Sequence, residues 1–502
     1  MARVVVLVLA VAAAGCAQLF GIDETSSPPD AAPAPYASLQ IDRISVGTML
    51  VRAPEDLTGH TATFYVDDAA EPSGLRRIQG ALVAVTKDQW NADIPEGTPA
   101  SIEFTVPGDT PGYRRMYALP SRTLKTLNGA YEHPNPVEAP MGGTFATQLA
   151  LPSGYVANEL IRLYAVGPWV YHTYVATELP APGVGATMIA ATIPYTTTGF
   201  VSHVGTRPLP KLTAQDQIVA LRYVGNDLTA AGIVPPFEQT GGADPVTATL
   251  TAVPHAPLDV KVDHVATAAR LAGTSPPVTT LGMSWSVVAA PAWRLANNTG
   301  PVLNAAGLTS TDPIMITAQF GNPFESLGWT SLFTFASNRS RTYTVPAFNL
   351  PLTLYAGLNQ LDDVTPGLVL DQAVGVPVLV SIDKTPLNAD GLTITIDPTK
   401  AVELSVVADR PINLFYQWAI YEVEPNTAMP PALVYKAVYG VVATETTVKI
   451  PHDVFVAGKV YMVRAHCYQG GYPTFATGDL QNRDVPYAVG YLDAGVFTVK
   501  AP

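Results

Sequence analysis

A chain of 502 residues with a net charge of −13 and no cluster of Lys and Arg excludes nucleic acid as a partner, because phosphate contacts need grouped cations. Apolar residues make up 48% of the sequence and charged residues only 14%, so large cores must lie behind a mostly uncharged polar surface. The 39 glycines and 46 prolines exclude a mainly helical protein, yet stay below the level that marks disorder.

At the start of the chain Arg3 precedes an uninterrupted apolar run over residues 4–14, the pattern of an export signal. The run is too short to span a bilayer, which takes about 20 residues. Next comes Ala13-Ala14-Gly15-Cys16, which resembles a bacterial lipobox, although Ala13 stands where that family usually has Leu. The resemblance implies removal of residues 1–15, a diacylglyceryl group on the Cys16 thiol and acylation of the new N-terminus. More than one acyl chain is what stable membrane anchoring requires. Ala17 stands where an Asp would favour inner-membrane retention, so the resemblance implies the outer membrane, facing either the periplasm or the surface. Ordinary cleavage after Ala14 or Ala17, giving a secreted protein, is the alternative. Residues 26–36 (SSPPDAAPAPY) have nothing to bury and read as an extended spacer, so that 16–36 form a lipidated tether.

Beyond the tether, period-two alternation and turn signals dominate. Strands are expected over residues 38–46, 61–66, 81–85, 101–106, 159–166, 169–176, 216–224, 247–252, 282–289 and 331–335, and a modest helix over 227–233. Short strands with regular turns predict an all-β chain of tandem immunoglobulin- or fibronectin-like β-sandwich modules. Pro-rich breaks place the modules at 37–131, 132–255, 256–380 and 381–502.

The last module is the most legible, with strands expected at 391–396, 402–407, 414–423, 432–442, 446–450, 459–468 and 490–499. Their order and spacing resemble a fibronectin type III domain. The likeness is carried by Phe415-Tyr416-Gln417-Trp418-Ala419-Ile420-Tyr421, by Thr447-Val448-Lys449-Ile450-Pro451, and by the stretch from Ala457 to Ala465. In the last of these, Tyr461 resembles the corner tyrosine whose hydroxyl bonds to nearby backbone. The second strand departs from the family by having Leu404-Ser405-Val406 where a core Trp is usual, and Trp418 is the candidate to fill that volume.

Chemistry-bearing motifs are sparse: no H-E-x-x-H, G-x-S-x-G, phosphate loop or C-x-x-C occurs. No cofactor or metal site is expected. His466-Cys467 suggests a base and a nucleophile, but neighbours on a strand point to opposite faces, so Cys467 reads as core with His466 behind the sheet. Asp259, Lys261 and Asp263 read as a solvated strand face, with His264 on the other side; Asp67-Asp68 and Asp362-Asp363 sit beside turns. Two aromatic features offer binding surfaces. Trp169 and Tyr171 share one face of the hairpin around Gly167-Pro168, where core packing is the alternative. Tyr472 and Phe475 follow Gly470-Gly471 in an end loop, where the alternative is that both rings fold onto the neighbouring module.

Together these features lead to the expectation of a non-catalytic, lipid-anchored envelope protein displaying β-sandwiches for adhesion, binding or envelope assembly, with a protein or glycan ligand. Carbohydrate binding is one alternative, and a hydrolase of envelope or extracellular polymers is another.

Overall fold

Strands that alternate apolar and polar side chains acquire one core face and one wet face, and sheets form by matching the former. This principle organises the computed structural model, which describes residues 37–46, 50–132, 142–166, 176–194, 200–202, 205–207, 211–214, 216–225, 227–290, 300–305, 314–370, 374–411, 414–482 and 484–500. The chain is all-β, with a single α-helix among the described residues.

Four sandwiches follow one another. In the first, Leu39, Ile41 and Trp90 of one sheet pack on Phe64, Ile102 and Phe104 of the other. The second encloses Phe145, Leu149, Ile161 and Leu221's neighbour Ala220. The third and fourth share one continuous core, running from Val260, Trp285 and Phe333 to Leu404, Trp418, Tyr461 and Cys467. Each sandwich contains a parallel pairing between an early and a late strand: Ser38 opposite Thr123, Thr144 opposite Ala243, Val260 opposite Leu368, and Leu392 opposite Phe497.

The sandwiches are not independent beads, because one sheet of 19 strands passes through all of them. Strand Leu350–Asp363 of the third sandwich pairs with Tyr487–Asp493 of the fourth. Strand Leu433–Ala443 of the fourth pairs in parallel with Arg114–Ala118 of the first. The first and last sandwiches are therefore hydrogen-bonded neighbours.

The expected helix over 227–233 is strand Asp227–Val234, whose alternate residues Leu228, Ala230 and Val234 are buried. The helix is His264–Ala272 instead, capped by Asp263, whose side chain accepts from the Ala266 N–H at 3.2 Å. Thr267, Ala268 and Leu271 face inward, so the strand-like run ending at Val262 turns helical where Asp263 offers a cap. The five residues expected at 331–335 belong to the 16-residue strand Thr330–Val345.

In the last sandwich, Pro377–Ile382, Val402–Ala408 and Thr447–Ile450 form one sheet, which faces Phe415–Pro425, Leu433–Ala443, Val460–Gly470 and Tyr487–Asp493. The Tyr461 hydroxyl accepts the Val456 N–H at 2.9 Å, and Trp418 is fully buried.

Candidate functional site

The structure treats the sequence-derived candidates differently. Cys16, Trp169 and Tyr171 lie outside the described residues. Tyr472 and Phe475 pack on Phe415, at centroid distances of 5.3 and 5.4 Å, and border the core of the first sandwich. Their loop docks there through backbone: Leu480 N–H donates to Lys125 O at 2.8 Å, and Lys125 N–H donates to Gly478 O at 2.9 Å. This is the folded-back alternative for the loop, with both rings half-buried in a seam between sandwiches.

Cys467 is fully buried, and burial raises its thiol pKa. His466 takes the opposite face, but that face encloses it: burial, reinforced by Arg464, drives the imidazole pKa down to about 3. Its Nδ1 is buried without a partner. Thiol and imidazole thus lie on opposite sides of the sheet. Asp259 and Lys261 are exposed, as a solvated strand face requires, while Asp263 caps the helix. Among the described residues no group of three His, Cys, Asp or Glu side chains could hold a metal.

A larger feature emerges on the shared sheet. One register row crosses eight strands, with Gly282, Asn338, Gly357, Tyr491, His466, Gln417, Val442 and Tyr117 as successive partners. At about 4.8 Å per strand the row is roughly 34 Å long. Directly opposed residues share a face. The neighbouring row on the reverse face runs Ala356, Leu492, Ala465, Trp418, Val441 and Met116, all buried in the main core. One face of this sheet is therefore hydrophobic core; the other carries rings and amides from Asn338 to Gln417, while Val442 and Tyr117 at its far end pack against the core of the first sandwich.

Rings and a guanidinium knit the open face together. Tyr435 meets Tyr421 edge-on at 5.7 Å, and Arg464 lies between Tyr421 and Tyr491, 5.8 and 5.9 Å from their ring centres. His466 is 6.2 Å from Tyr491 and 5.9 Å from Tyr468, which stacks on Phe415 at 4.5 Å. Burial pushes the Tyr491 hydroxyl up to about 12 and raises Tyr421 and Tyr435 as well, so all three phenols stay neutral. The charges on the face are internally matched. Asp493 takes a two-point ion pair from Arg464 and the Tyr355 N–H at 2.8 Å, and Asp109 pairs with Arg115. Sequence reasoning missed this face because its rings come from strands far apart in the chain; the signal available was Tyr, Asn, Gln and Ser at alternate positions of the strands concerned.

A cleft of about 630 Å³ opens between the first and last sandwiches, walled by Leu75, Ile102 and Leu119 on one side and by Glu403, Glu445 and Val448 on the other. Lys449 reaches Asp67 across it at 3.0 Å. Behind that seam Tyr439 donates to the buried Glu103 carboxylate at 2.6 Å, and Arg114 stacks on the Tyr439 ring while pairing with Asp453.

The sequence matches no protein-family model and no curated protein.

Proposed function

We propose that this chain is a non-catalytic envelope lipoprotein, held by lipid on Cys16, whose β-sandwiches together form one preorganised binding body for adhesion, ligand capture or envelope assembly. The observation that carries this reading is the strand pairing of Tyr439–Ala443 with Arg114–Ala118, which fixes the first sandwich against the last and presents a single extended surface. A rigid display body suits binding, because surface held in place before contact loses little entropy on association. The anchor rests on the apolar run ending at Cys16 and on the spacer behind it. Fibronectin type III kinship of the last sandwich is supported by its sheet order and by the Tyr461 hydroxyl bond.

The test is protease shaving of intact cells beside a Cys16→Ser variant. Release of peptides from beyond residue 36, with the variant recovered in the soluble fraction, supports anchored surface display. Protection until the outer membrane is opened moves the body to the periplasm and replaces adhesion with an envelope-scaffold role. The rival hydrolase reading draws on Glu403 and Glu445, both on the cleft wall. Release of reducing ends from a polymer by purified protein, lost in Glu445→Gln, would favour it.

A further inference from the structure

We infer that the open face of the shared sheet, between the third and fourth sandwiches, is a binding site for a flat, uncharged polysaccharide chain, with β-linked glucans as the ligand class. The inference rests on reading the chain as a binding body and adds both the site and the ligand chemistry.

Three observations point there. The first is matched charge. Arg464 pairs with Asp493 and Arg115 with Asp109, so the charged groups beside the exposed rings are already matched within the protein. A charged polymer would gain no ion pair and would lose hydration on contact, whereas a neutral one fits. The second is the pairing of ring faces with hydrogen-bonding groups. Tyr355 is 37% exposed and Tyr491 is half-buried, Asn338 lies in the row of Tyr491, and Asn359 and Ser284 lie in the adjoining row. Pyranose rings with equatorial hydroxyls present apolar C–H faces to aromatic rings and hydroxyl edges to amides, and this face supplies both.

The third observation is shape. Glycines and alanines occupy the floor where bulk would break a flat contact: Gly282, Ala336, Gly357, Ala419 and Gly440 are all on this side. Gly357 and Gly440 lie beneath the rings of Tyr491 and Tyr113, which keeps the rings low against the sheet. An extended chain lying over the end of the face away from the first sandwich would meet Ser284, Asn338, Asn359, Tyr355 and Tyr491 in turn. A compact sugar would use only part of the row.

The experiment is affinity electrophoresis of the purified full chain through gels containing a soluble β-glucan, with gels of an anionic uronate polymer alongside. Retardation by the glucan, little changed at about 0.5 M salt and at least about fivefold weaker in Tyr355→Ala and in Ser284→Lys, is expected. Both positions are solvent-exposed, and circular dichroism checks that each variant is folded. Absence of retardation by the glucan overturns the inference, as does equal retardation of both variants or preference for the uronate. Shaving and fractionation of cells report on anchoring and display independently, so failure of the glycan site is distinguishable from failure of the lipoprotein reading.

Discussion

The phenol ring of Tyr491 lies across Gly357, its direct partner on the neighbouring strand, so closely that a Cβ on residue 357 would stand 2.5 Å from the ring Cζ and the hydroxyl. A glycine weakens a strand, and an aromatic ring laid over it restores the missing contact. Here the pair also sits where the third sandwich meets the fourth. Gly357→Ala must therefore displace Tyr491 or part the strands, and is expected to cost about 1–3 kcal/mol in chemical denaturation. Tyr491→Phe keeps the overlap and should cost much less. Equal losses in the two variants would contradict this account.

The Tyr439 hydroxyl is a buried donor to Glu103 in the seam between the first and last sandwiches. Tyr439→Phe leaves a buried carboxylate oxygen without that donor, at an expected cost of about 1–3 kcal/mol. Tyr435→Phe is the control, because the Tyr435 hydroxyl bonds to the Thr353 carbonyl near solvent. Urea unfolding of the two variants should separate clearly, with Tyr435→Phe closer to the wild type.

Enclosure of His466 makes stability depend on pH in a definite direction. Its pKa falls from the ordinary 6.5 to about 3 on folding, so between those values the unfolded chain binds a proton that the folded chain refuses. The resulting destabilisation is absent above about pH 6.5 and grows as pH falls toward 3, reaching a few kcal/mol, about 1.4 for each unit of pH. His466→Gln should flatten this part of the profile. The readout is the wild-type minus variant difference in unfolding free energy at pH 7 and at pH 4. A difference that stays constant with pH would remove His466 from the account.

Burial also sets the reactivity of Cys467. Its thiol is enclosed and its pKa is raised, so thiolate is scarce at neutral pH. Iodoacetamide is expected to leave Cys467 unmodified in the native protein and to alkylate it fully in denaturant, as read by peptide mass spectrometry. Rapid native alkylation would show that the strand opens locally.

Much of the fold was legible from alternation alone. Strand parity puts Tyr461, Val463, Ala465 and Cys467 on one face, and all four are buried in the core. The helix His264–Ala272 leaves no distinct sequence signal, because Val260, Val262 and His264 continue a strand-like alternation across the Asp263 cap. Parity also sets His466 opposite Cys467, but its enclosure depends on Tyr468 and Tyr491 beside it, which local sequence does not specify. The tyrosine face follows from register between strands such as Leu350–Asp363 and Tyr487–Asp493, more than a hundred residues apart. Register of that range is fixed by tertiary packing and leaves no local periodic trace.

The parallel join of Arg114–Ala118 to Tyr439–Ala443 also bears on how the chain matures. Until residue 443 has emerged, the N-terminal sandwich carries an unpaired sheet edge, the kind of surface that recruits other strands. Contacts so distant in sequence form slowly. The N-terminal sandwich is thus completed only after the last sandwich has been made, and truncation anywhere before residue 433 leaves an adhesive edge on it.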